Sequence, residues 1–324
     1  MTSPTIQETA SIEAPDQVGA SLEEYKRKSR KDAISALLWS SGLILLHIIL
    51  LVFDVIRFSD LYRSLLFIIG VVGFGGGIWE YYQAKRLTIE DLAKSNEAQE
   101  FTKSIEKTPI IRTKAVLACL IVVAVLQLIA GDKESIQAAG LVKSAVWNGE
   151  IWRLFTCATL HVNFMHIWMN GQALIGLGRL VESLTHRAYL AIVFLPAALC
   201  GSIFSLLLMP HATSVGASGG LMGLVGFLAV FGYRRKEMLP SGFFKSILIN
   251  ICFMGVIGLV GFAIIDNAAH LGGLVAGVVS GIVFIKKAAD TNASGVSKFV
   301  RGLGMASLVA IGMISLFSIV MILK

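Results

Sequence analysis

A chain of 324 residues that is 55% hydrophobic and only 15% charged is too apolar for a soluble domain, where about a quarter of the residues carry charge. Its formal net charge of +7 does not point to nucleic acid, because the basic residues sit between apolar runs in a pattern that follows membrane topology. The four cysteines, Cys119, Cys157, Cys200 and Cys252, form no CxxC pair, so they imply neither a zinc knuckle nor a disulfide framework and read as small packing residues.

Residues 1–32 are polar, acidic then basic; they carry no secretory signal and predict a disordered cytosolic tail. Apolar runs follow at about 33–53, 64–81, 115–131, 160–180, 188–208, 218–232, 243–263, 268–285 and 303–323. Runs of about 17 residues or more can cross a hydrocarbon core of ~30 Å. The 218–232 run is short and glycine-flanked, which makes it the weakest simple span. The first two runs predict a transmembrane hairpin, 33–81, closed by a short loop at 54–63, with His47 bonding inside the hairpin. Residues 82–114 form a polar cytosolic linker in which Thr88-Ile89-Glu90-Asp91 suits a helix N-terminus. The later spans are closely connected, as one bundle requires. Segment 132–153 is too polar to span and too apolar between Leu141 and Trp147 to be a solvated linker. An interfacial lobe is expected there, with Trp147 and Trp152 at headgroup depth.

Charge orients the chain. With the N-terminus inside and each run crossing once, 22 of the 28 Lys and Arg residues fall inside, and only Arg57, Arg63, Lys133, Lys143, Arg153 and Lys324 fall outside. This is the positive-inside bias of short loops.

Two apolar helices carry the candidate chemistry. Ser218, in Gly216-Ala217-Ser218-Gly219-Gly220, begins a helix, where unpaired backbone N–H groups can face a developing oxyanion. His270, in Ala269-His270-Leu271-Gly272-Gly273, shares one helix face with Gly273 and Gly277. Gly219 and Gly223 make a matching small-residue face that permits close helix approach. Together they can bring a serine to the base that must take its proton. Taken alone, each helix also fits simple packing, with His270 bonding a backbone carbonyl; an ionisable group within a span favours function. A third segment, His161-Val-Asn-Phe-Met-His166-Ile-Trp-Met-Asn170, is placed on the 160–180 helix with His166 and Asn170 on one face. Such donors either stabilise an oxyanion or bond between helices.

The order HxxxxHxxxN, GxSG and AHxGG on three alternating spans resembles the rhomboid family of intramembrane serine proteases. Gly149-xx-Trp152-Arg153 is similar to that family's Trp-Arg element, and Gly178-Arg-Leu-Val-Glu182 to its glycine-to-glutamate stretch. The resemblance covers roughly 115–290. It implies an all-α polytopic membrane protein with a six-helix core at 115–290, one additional C-terminal span in 291–324 and the N-terminal hairpin outside the core. It also implies Ser218 as nucleophile, His270 as base and acid, and an oxyanion site from the Ser218 N–H, His166 and Asn170. Gly216, Gly219 and Gly273 would support the site, while His161, Trp152 and Arg153 would be structural. No cofactor and no metal are implied. Substrates would be single-span membrane proteins cut near the external face. The family often has an aromatic residue one turn after the nucleophile, stacked on the histidine; here Met222 stands there.

Gly216-x-Ser218-x-Gly220 also satisfies the α/β-hydrolase elbow pattern, but that motif needs a strand-turn-helix setting. Asp266, four residues before His270, is expected to cap or be solvated rather than complete a triad. No HExxH and no carboxylate joins His161 and His166 at ligand spacing, and His186 falls in a cytosolic loop. The expected function is therefore intramembrane serine endopeptidase by a Ser218–His270 dyad, in a multi-pass protein of a bacterial plasma membrane with its site opening outside. A binding-only relative without activity, and a transporter or channel, are the alternatives. The first would typically lack site residues that are present here, and the second would want charged residues along the spans.

Overall fold

The computed structural model describes residues 15–261, 265–286 and 296–324. Residues 1–14 of the expected tail, the end of the expected 243–263 span and the 287–295 junction before the last span lie outside the described residues. The chain divides into two compact units, residues 1–97 and 98–324.

In the first unit, α1 (Pro15–Val52) and α2 (Leu65–Ala84) pack as a helical hairpin joined through a 3-10 turn at Phe58–Arg63. α1 begins well before the apolar run, so residues 15–32 are helical where a disordered tail was expected. The reason is local: Pro15 occupies the first helical position, which its fixed φ suits, and Lys26 pairs with Glu23 one turn away at 2.9 Å. His47 sits inside the hairpin as expected. One ring nitrogen, Nδ1, lies 2.8 Å from the Leu43 carbonyl, and Nε2 lies 2.6 Å from Ser64 Oγ. Ser64 in turn caps α2 by accepting from the Phe67 N–H. α3 (Ile89–Glu106) starts where Thr88 and Asp91 exchange side-chain and backbone hydrogen bonds, at 2.9 and 3.3 Å, the reciprocal cap legible in the sequence.

The second unit continues with α4 (Ile111–Ala130), then a lobe of three short helices, α5 (Asp132–Ala139), α6 (Lys143–Trp147) and α7 (Arg153–Thr156). Six longer helices follow: α8 (Phe164–Leu184), α9 (Ala188–Leu208), α10 (Ser218–Arg234), α11 (Phe243–Val260), α12 (Asn267–Phe284) and α13 (Lys298–Ile322). Among the described helices, α1, α4, α9, α12 and α13 are long and apolar enough to cross a membrane. α10 is shorter, and the burial of Leu221, Leu224, Phe227 and Leu228 makes it the centre of the bundle rather than a lipid-facing span.

Glycines set how closely the central helices pack. A Cβ on Gly273 would strike the backbone of Gly219, and one on Gly277 the backbone of Gly223. The matched offsets show that α10 and α12 run parallel with their backbones touching. α9 runs antiparallel against both, with Gly201 beside Ala269 and Gly219. Away from this crossing, Glu182 at the end of α8 accepts from the Thr113 N–H and hydroxyl at 2.7 and 2.6 Å, which ties α8 to the start of α4.

The lobe is held by Arg153. Its guanidinium donates to the Gln137 and Gly140 carbonyls at 2.9 and 2.8 Å, pairs with Glu150 at 2.6 Å, and lies over the Trp152 ring. These are scaffold contacts, in keeping with the structural role implied for Trp152 and Arg153.

Candidate active site

Ser218 is the first residue of α10, and no side chain caps the helix start at Ala217. The first-turn N–H groups of a helix have no intrahelical partner, so Ser218 stands at a helix end with free backbone donors. His270 lies in the first turn of α12. The two helix starts are adjacent, because Gly219 lies against the Ala269 carbonyl and Gly273 against Gly219. Ser218 and His270 are each half-buried. Among the described residues the two side chains make no direct hydrogen bond to each other; catalytic hydrogen bonds in unliganded sites often tighten only when substrate binds.

His166 reaches the same place from α8. That helix starts at Phe164, not at 160, because the Asn163 side chain caps it by accepting from the His166 N–H at 2.9 Å. His161 therefore precedes the helix, where a place on it was expected. Its backbone N–H and C=O are both bonded by the Gln127 side chain, at 3.0 and 3.1 Å. Its ring sits edge-on to that of His166, with centroids 5.0 Å apart. The His166 ring lies directly on Gly216, where an added Cβ would come within 2.7 Å of Cε1. Gly216 also has φ +129°, a backbone region that side chains disfavour, so any other residue there would both strain the turn and displace the ring. Asn170 is buried one turn along α8, with one amide hydrogen bonded to the His166 carbonyl at 2.9 Å; its second amide hydrogen has no partner among the described residues. Met222 is buried on α10 one turn after Ser218, and among the described residues no aromatic ring stacks on His270.

A polar network behind His270 was not anticipated. Lys143, counted in the sequence as a charge of the external lobe, is only 4% exposed. Its Nζ donates to Ser205 at 2.8 Å and to Ser214 at 2.6 Å, and Ser205 donates a short hydrogen bond to Asp266. Asp266 caps α12 by accepting from the Ala269 N–H at 2.9 Å, the capping role expected of it. Burial pushes the Lys143 ammonium below the usual lysine range, an effect opposed by the Asp266 carboxylate. The loop before Ser218 joins the same assembly: Leu141 and Ser214 exchange backbone hydrogen bonds at 3.0 and 3.3 Å, and the Gly216 N–H donates to the Cys157 carbonyl at 2.9 Å. The lobe, the serine loop and the histidine helix are thus one connected structure. The signal available in the sequence was a lysine set between Leu141-Val142 and Ala145-Val146-Trp147.

The fold and site define a class: an all-α polytopic protein with a serine and a histidine at two touching helix starts and a second histidine over the serine loop. Residues 148–287 match the Rhomboid domain model. Over 137 residues the chain is 36% identical to "Rhomboid protease GluP" of Bacillus subtilis, covering 41% of this chain and 26% of that protein. It is 34% identical to "RHOMBOID-like protein 1" of Arabidopsis thaliana over 44% of this chain and 37% of the relative. For "RHOMBOID-like protein 6, mitochondrial" of the same plant the identity is 33%, over 44% and 47%. The chain thus spans between about a quarter and a half of the length of these relatives, at 26%, 37% and 47%. Residues 148–287 thus form a rhomboid domain, and the chain that carries it is an integral membrane protein.

Proposed function

We propose that the chain is an intramembrane serine endopeptidase that hydrolyses peptide bonds in or near the transmembrane segment of single-span membrane proteins. The observation that carries this reading is the glycine-on-glycine contact of α10 and α12, which sets the turns bearing Ser218 and His270 side by side at helix N-termini. In the proposed reaction His270 takes the proton of Ser218 as its oxygen adds to the scissile carbonyl. The oxyanion that forms is met by the Ser218 N–H, the His166 ring and the second amide hydrogen of Asn170, each positioned donor lowering the barrier by about 3–4 kcal/mol. The tetrahedral species collapses to an acyl-enzyme as His270 passes its proton to the leaving amine. Water, deprotonated by His270, then releases the acid and restores Ser218. The first proton leaves with the amine and His270 hands the one taken from water to Ser218, so the dyad closes its cycle without a cofactor.

The basic residues support a cytosolic N-terminus, with the Ser218 end of the bundle facing the external side of a bacterial plasma membrane. In this reading residues 33–81 are a separate hairpin, 82–114 a linker, 115–290 the catalytic core and 291–324 an added span. The test is reconstitution of the full chain in liposomes with a single-span substrate. Wild type is expected to release fragments and Ser218→Ala none. A Ser218→Ala protein that still cut would remove Ser218 from the role. A wild type silent on several substrates would favour a rhomboid-like protein that binds clients without cleaving them.

A further inference from the structure

The end of the second unit remote from Ser218 carries an arrangement that the proposed protease reaction does not use. Three helices begin there, α4, α9 and α13, and they contact one another. Helix N-termini bring partial positive charge. The same place holds four basic side chains, Arg112 in the first turn of α4, His186 and Arg187 just before α9, and Arg301 in the first turn of α13. His186 senses them all: its imidazole is held below the ordinary histidine range by burial, then by Arg187, Arg112 and Arg301.

Arg112 is the centre of this group. It is 7% exposed, and its Nη1 is fully enclosed with no hydrogen-bond partner. That nitrogen lies in the angle between α9 and α13, where a Cβ on Gly304 would come within 2.6 Å of it and 2.7 Å of Ala188. A buried guanidinium nitrogen without an acceptor is costly, which is why such groups are nearly always paired. The nearby carboxylate, Glu182, has its oxygens directed elsewhere, to the Thr113 N–H and hydroxyl and, at 3.4 Å, to the Arg112 backbone N–H. Among the described residues no carboxylate forms an ion pair with Arg112, Arg187 or Arg301.

We propose that this cluster binds one phosphate group, supplied as the headgroup of an anionic phospholipid in the adjacent leaflet. A phosphate offers several acceptors to a planar guanidinium fork, and it answers the combined charge of three arginines and three helix N-termini. The surroundings favour a lipid over a free ion. Ile111 and Phe299, immediately beside Arg112 and near Arg301 in sequence, are 56% and 74% exposed, so apolar side chains flank the charged group where acyl chains would lie. Arg187 and Arg301 are exposed, which leaves the cluster open to a headgroup.

The full chain, incorporated into nanodiscs of phosphatidylcholine with or without phosphatidylglycerol, tests this by native mass spectrometry of retained lipid and by thermal unfolding. Wild type is expected to retain phosphatidylglycerol preferentially and to unfold at higher temperature in its presence. Arg112→Gln is expected to weaken that retention about tenfold or more, as loss of a charge-assisted bond should. Because a buried substitution can unfold the protein, Arg187→Gln combined with Arg301→Gln, both exposed positions, is expected to lower retention in the same direction. Inorganic phosphate, added to phosphatidylcholine discs at matched ionic strength, separates the sources. Stabilisation of wild type by phosphate, absent in the double variant, would keep the phosphate site but assign it a soluble ligand, overturning the lipid part. Equal retention of the two lipids by wild type with no effect of phosphate, or undiminished retention in the double variant, would overturn the proposal.

Discussion

The chain holds two serine–histidine pairs, one in each compact unit, and they differ in an instructive way. In the hairpin, Ser64 Oγ and His47 Nε2 are 2.6 Å apart, a better hydrogen bond than any between Ser218 and His270. Yet Ser64 caps α2, the other His47 nitrogen is engaged with the Leu43 carbonyl, and among the described residues no further histidine or asparagine is hydrogen-bonded to the pair. Ser218 has no such capping duty. It stands at an uncapped helix start with His166 over its loop, the setting in which the proposed mechanism places donors for a charge that exists only during reaction. A hydrogen-bonded pair is therefore not enough to make a nucleophile. What surrounds the serine is what separates the proposed dyad from a structural lock.

Substitutions can break or sharpen this contrast. The largest effect after loss of the proposed dyad itself is expected from His166→Ala, which on the proposed mechanism removes one oxyanion donor and should lower kcat by about 10²–10³-fold with little change in the thermal transition. Gly273→Val comes next: its side chain would collide with the Gly219 backbone, and separating the two helix starts by even about 1 Å should cost about a hundredfold in turnover, visible in fragment yield against time. Asp266→Ala removes the cap of α12 and the carboxylate facing buried Lys143. About 1–2 kcal/mol of stability and roughly tenfold of activity should be lost, measured by thermal unfolding alongside cleavage. The smallest effect belongs to Ser64→Ala, which should destabilise the hairpin by about 1 kcal/mol and leave the cleavage rate unchanged. A fall in turnover there would erase the distinction between the two pairs.

Much of this arrangement was legible in the sequence because it depends on local spacing. Gly219 with Gly223 and Gly273 with Gly277 already define two matched small faces, and the structure docks them in that register. Thr88 and Asp91 announced the start of α3 for the same local reason. The helix start before His166 was misplaced because apolar Leu160 and Val162 extend the run, while Asn163, whose side chain sets the true boundary, is a single polar residue inside it. The Lys143 network was out of reach in a different way. Its partners Ser205, Ser214 and Asp266 come from three separate segments, and nothing local marks a lysine as buried. Arg112 escaped notice for that reason too: as one of 22 basic residues assigned to one side by topology, it looked like a topological charge until Gly304 and Ala188 were seen closing over it.

Covalent labelling of the full membrane-embedded chain with a fluorophosphonate, followed by mapping of the modified residue, asks most directly which serine is activated. One adduct, on Ser218, is expected, lost in His270→Ala and kept in His47→Ala. An adduct on Ser64, or labelling of Ser218 that persists undiminished without His270, would contradict the account.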